Sequence, residues 1–144
     1  MAITPLEDKM SIKAIIDTDT YLTETQKIKP ENVKTTGATS DVLNGTTTDS
    51  ETKVYISNGT PENLGSDIAK GLVYNIKVVS KRTRAIAVTN TMRQIIALLN
   101  LKDIGRGHIL YLLDPQIELV TDPAIYAEEV TFLCQSTVFD TVKK

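Results

Sequence analysis

Tryptophan is missing from this chain of 144 residues, phenylalanine occurs twice, and cysteine and histidine occur once each. Each scarcity excludes something. A lone Cys134 cannot close an intrachain disulfide, and its neighbours Phe132, Leu133 and Val138 read as a buried strand position with an inert thiol. A lone His108 without a cysteine nearby in sequence offers no zinc module, so a metal centre would need carboxylates brought by the fold. With so few large aromatics, the core must come from Ile, Leu, Val and a few Tyr. No apolar run approaches the roughly 20 residues of a membrane-spanning helix. Glu7, Asp8 and Lys9 stand where a secretory signal would be apolar, so a cytoplasmic chain is expected. The glycosylation-like triplets at Asn44 and Asn58 then read as turns followed by threonine.

A basic excess is also lacking. The formal net charge is −2 and the pI about 5.4, whereas attraction to nucleic acid draws on a field of Lys and Arg. The local run Lys77, Lys81, Arg82 and Arg84 reads as a solvated strand end or helix start.

What is present describes one domain over residues 1–144, long enough to bury about two-thirds of its unfolded surface without a covalent staple. Residues 1–10 look like a leader with little structural content. Ile12, Ile15, Ile16, Tyr21 and Leu22 are spaced for a short N-terminal helix. The run Asp17 to Thr20 weakens it, because these side chains compete for backbone hydrogen bonds. Residues 28–33 predict a short extended segment, with Pro30 holding Lys29 out of the helical region.

Residues 34–52 are dominated by Thr, Ser, Gly, Asp and Asn, and read as a flexible polar loop or extended hairpin tip. Strands are predicted at 53–57 and 72–79. Thr60, Pro61 and Glu62 between them read as the start of a short helix. Val88, Met92, Ile95, Ile96 and Leu99 form a helical stripe within 84–101, and Ala85, Ala87 and Ala97 would allow close approach to a sheet. After the turn at Gly105, Arg106 and Gly107, an apolar run begins at His108, breaks at Pro115 and resumes at Ile117. A long strand over 124–139 follows. Strands in adjacent pairs with short connections favour antiparallel hairpins. The fold class is therefore α+β: a mainly antiparallel or mixed sheet of four to five strands, the long helix 84–101 on one face, and a short N-terminal helix.

Nothing in this pattern carries chemistry. Asp17, Thr18, Asp19 and Thr20 lack the glycine and distal glutamate of a calcium loop. Gly105, Arg106 and Gly107 lack the rest of a nucleotide loop, and no nucleophile elbow occurs. Glu128 and Glu129, adjacent in a strand, point to opposite faces. His108 reads as an ordinary strand-edge residue. No catalytic, cofactor-binding or metal-ligating residue is assigned, no cofactor is expected, and the chain reads as a non-enzyme. Function should lie in its surfaces. Residues 109–113 are continuously apolar, and the strand at 72–79 has one apolar and one mixed face, with Leu72, Val73, Val78 and Val79 putting apolar residues on both. Either the N-terminal helix covers the second face or a partner subunit does, by face packing or edge pairing.

In the order of these elements, from the short helix at 11–22 through the strands at 53–57 and 71–79, the helix ending at Leu99 and the strand around 126–133, the chain resembles the tail-terminator and head-to-tail joining (tail completion) proteins of long-tailed bacteriophages. The resemblance spans about residues 11–139 and is one of pattern and size. It implies a virion protein made in the host cytoplasm, forming a homo-oligomeric ring, commonly a hexamer, at the head-proximal end of the tail. Such a ring stops growth of the tail-tube protein and meets the head connector or stopper protein. DNA would pass through its lumen without specific binding, and no membrane is involved. A mildly acidic chain suits that passage. The polar loop, with Thr36, Ser40, Asp41, Val42, Leu43, Asn44 and Asp49, would be the assembly contact. A head-side adaptor or stopper, or a small α+β domain binding a ligand or peptide, are the alternatives.

Overall fold

The computed structural model describes residues 5–36, 51–59, 72–105, 107–118 and 123–136. Helix α1 spans Pro5–Asp17, so most of the expected leader is helical. Proline suits the first helical position, where no intrahelical N–H bond is needed, and Glu7 and Asp8 complement the positive end of the helix dipole. The helix stops at the Asp/Thr run as expected. Thr18 Oγ1 turns back onto the Ala14 carbonyl. Asp19 Oδ2 accepts the Leu22 amide at 3.0 Å, fixing a wide π-type turn at Tyr21–Thr25. The segment expected to be extended at 28–33 is instead a 3-10 turn, Pro30–Asn32, followed by a two-residue strand β1, Val33–Lys34. Lys29 before the proline is extended.

Strands β2 (Lys53–Asn58) and β3 (Leu72–Lys81) pair antiparallel. A 3-10 turn, Arg82–Arg84, leads into α2, Ala85–Leu99. Leu101, with φ of 66°, ends the helical run. Strands β4 (His108–Glu118) and β5 (Ile125–Ser136) form the second antiparallel pair. Among the described residues the strands form one sheet in the order β1-β2-β3-β5-β4, in which β1 and β2 run parallel and the other pairs antiparallel. This is the expected α+β class. Pro115 does not end β4: pairing with β5 continues, with register shifts between Leu112 and Asp114 and between Asp114 and Ile117. Proline has no N–H for a ladder, and an edge strand absorbs that loss as a bulge.

Both helices pack on one face of the sheet. Ile12 and Ile16 of α1 share a continuous core with Val88, Met92, Ile95 and Leu99 of α2 and with Val54, Ile56, Tyr74, Ile76, Val130 and Phe132 of the sheet. The N-terminal helix therefore does not cover the second face, which holds a smaller apolar cluster of Tyr55, Val79, Ile125 and Ala127. Ile96, Ala85 and Ala87 are partly buried, and Ala97 is exposed.

The edge at β4 is closed along its first half. Leu101 donates its amide to the Leu110 carbonyl, Leu110 donates to Lys102, and Ile104 donates to His108. Asn100 Oδ1 accepts the Leu112 amide at 3.0 Å. An edge so occupied does not template another strand. Gly105 and Gly107 make this return possible, with φ of 133° and 79° that side-chain-bearing residues rarely adopt.

Candidate functional site

On the helix-facing side of the sheet, four polar side chains meet inside an otherwise apolar core. Tyr74 comes from β3, Cys134 from β5 and His108 from the start of β4. The ladder places Leu72 and Leu110 on either side of Cys134. Asp8 descends onto them from the first turns of α1. Asp8, Ile12 and Ile16 are spaced by four, so the carboxylate occupies the buried stripe of the helix, and all three are fully buried.

A buried carboxylate is costly unless each oxygen has partners. Here the Tyr74 hydroxyl donates to Asp8 Oδ2 at 2.5 Å, and His108 Nδ1 lies 3.1 Å from Asp8 Oδ1. The Cys134 thiol points at Oδ2 from 4.0 Å. The His108 side chain, 12% exposed, is the most accessible member of the group. Burial first, and then the hydrogen bond to Asp8, push the Tyr74 hydroxyl well above its ordinary range. Burial, followed by the charges of Asp8 and Asp103, pushes the Cys134 thiol up to about 12. A thiol that holds its proton so firmly is a poor nucleophile, in keeping with the inert cysteine read from its neighbours.

A second network lies between α2 and β5. Glu128 Oε2 accepts from Thr89 Oγ1 at 2.5 Å and from Tyr126 Oη at 2.6 Å. The hydrogen bond to Glu128 is the main cause raising the Tyr126 hydroxyl above its usual range. The Arg82 guanidinium sits 5.4 Å over the Tyr126 ring and donates to the carbonyls of Pro123 and Ile125. Glu129 points the opposite way, 3.5 Å from Lys77, as alternation requires.

The residues singled out from the sequence fare differently. Lys77 and Arg82 of the basic run each face a carboxylate, Glu129 and Glu118, so they form no open cationic patch. Asp17 pairs with Lys13 and Asp19 also accepts from Gln94 Nε2, which makes the calcium-like run a structural cap. Thr36 is exposed. Ser40, Asp41, Val42, Leu43, Asn44 and Asp49 of the polar loop lie outside the described residues, as do the helix start at Thr60 and the expected strand extension past Ser136. Asp8 and Tyr74 were not singled out. The signal for Asp8 was Pro5 followed by acidic residues, together with the four-residue spacing to Ile12 and Ile16.

No protein-family model matches the chain, and no curated protein is significantly similar to it. No helix among the described residues is long and apolar enough to cross a membrane.

Proposed function

We propose that the chain is an assembly protein of the tail-terminator kind, whose copies close into a ring at the head-proximal end of a phage tail tube and join it to the head connector. The observation that carries this reading is a pair of unlike apolar patches. Leu6 and Met10, one turn apart on α1, are 55% and 56% exposed. Leu101, Tyr111 and Leu113, at and beside the β4 edge, are 65%, 36% and 41% exposed. The first patch belongs to the helical layer. Tyr111 alternates with the inward Leu110 and Leu112 and so belongs to the opposite side of the sheet, with Leu113 beside it at the register shift. A contact between two different patches repeats head to tail, and closes into a ring when its rotation divides a full turn.

The occupied β4 edge supports contact through side chains, since its backbone groups are already engaged as far as Leu112. The polar residues between β1 and β2, about 36–50, would add an arm to the same assembly.

Native mass spectrometry tests the reading, with the chain at high concentration, alone and with tail-tube protein. A closed oligomer is expected, and a strict monomer under both conditions would sink it. Met10→Glu and Leu113→Glu should each yield monomers, while an equal mixture should stop at dimers through the one intact pairing. Deleting residues 36–50 should leave the fold intact and abolish assembly.

A further inference from the structure

Asp8, His108 and Cys134 each offer one ligand atom, and these atoms all lie within 4.8 Å of one another. We propose that they bind a single divalent cation of the zinc class, which pins the N-terminal half of α1 to strands β4 and β5. This goes beyond the assembly reading and does not depend on it.

The donor set selects the ion. One imidazole nitrogen, one sulfur and one carboxylate oxygen suit a borderline-soft metal, whereas calcium and magnesium take oxygen ligands. The geometry is close to what coordination needs. With metal–ligand bonds of about 2.0–2.3 Å, the ligand atoms of a tetrahedral site stand about 3.3–3.8 Å apart. His108 Nδ1 is 3.1 Å from Asp8 Oδ1 and Cys134 Sγ is 4.0 Å from the other carboxylate oxygen, Oδ2, while one ligand atom from each residue lies within 4.8 Å of the other two. Even the widest separation closes with a shift of about 1 Å, within reach of small side-chain rotations.

The surroundings fit as well. The Tyr74 hydroxyl holds one carboxylate oxygen, the kind of partner that orients a ligating side chain and tunes its affinity. The partial exposure of His108 gives the ion an entry route. A purely structural Asp–His pair would account for two of the three groups. The thiol, which faces the same carboxylate from 4.0 Å, adds the soft third donor that a zinc-class ion favours. Binding at neutral pH would release the thiol proton to solvent.

The test uses the full chain, stripped with a chelator and titrated with Co2+. One equivalent should produce visible d–d bands and a near-ultraviolet thiolate-to-cobalt band, and Zn2+ should abolish both by displacement. Zn2+ should also raise Tm. Cys134→Ala, which replaces a buried thiol with a small apolar group, should remove the thiolate band. His108→Ala should weaken binding by at least tenfold, with circular dichroism confirming that each variant folds. Absence of the bands in folded wild-type protein at one equivalent would overturn the proposal. So would a thiolate band unchanged in Cys134→Ala. Both readouts are independent of oligomer size, so failure here leaves the ring reading standing, and the reverse.

Discussion

The Tyr74 hydroxyl donates a 2.5 Å hydrogen bond to Asp8 across 66 residues of sequence, joining the first turns of the chain to the centre of the sheet. Both residues are fully buried. The bond therefore does two things. It satisfies a carboxylate that no water reaches, and it fixes where α1 lands.

Tyr74→Phe should lower stability by about 2 kcal/mol, in the range for a hydrogen bond to a buried charged group. Asp8→Ala should cost more, about 3–5 kcal/mol, because it strips His108 and Tyr74 of their shared partner and opens a cavity. Urea denaturation with an unchanged m-value checks both. Equal losses would mean that Tyr74, rather than the carboxylate, organises the site.

Alkaline pH should loosen the metal-free chain. Cys134 and Tyr74 keep their protons more tightly when folded than when unfolded, with the thiol near 12 against an ordinary 9.0. The unfolded chain therefore binds fewer protons once pH passes 9, so stability is fully present below that value and falls as pH rises towards 12. Tyr74 adds to the loss above its ordinary 10.0. In the presence of chelator, Tm should decline through this window. Cys134→Ala should delay the onset to the tyrosine range.

The two glutamates of β5 should respond unequally. Thr89→Val removes a 2.5 Å donor from the buried Glu128 and should cost about 1.5–3 kcal/mol. Glu129→Gln breaks a partly exposed pair with Lys77 and should change stability by about 1 kcal/mol or less. Parallel thermal melts decide it, and a larger loss for Glu129→Gln would reverse the assignment of inner and outer faces.

Much of this architecture was legible in the sequence, for reasons visible in particular residues. The stripe from Val88 to Leu99 and the alternation through β3 and β5 report burial directly, because the apolar period matches the geometry of helix and strand. Pro115 announced an irregularity but not its form, since a bulge and a strand end both follow from a missing N–H. The site itself was hidden. Asp8 breaks an apolar stripe with a charge, and a charge near a chain start reads as solvent-facing. Its burial depends on Tyr74 and His108, 66 and 100 residues away. Nothing local in the sequence encodes such a meeting.

Leu101 is the place where stability and assembly should part. It carries a branched apolar side chain, 65% exposed, on backbone with φ of 66°. The left-handed region costs such a residue about 1–2 kcal/mol, and asparagine tolerates it better. The backbone hydrogen bond from Leu101 to Leu110 survives any side-chain change. Leu101→Asn should therefore raise stability by up to about 1 kcal/mol in the isolated chain. In the proposed ring, a contact at Leu101 would offset both the backbone strain and the apolar exposure. The same substitution should then weaken oligomerisation at least tenfold, read by sedimentation. A gain in Tm with assembly unchanged would remove Leu101 from the interface and leave Tyr111 and Leu113 to carry it.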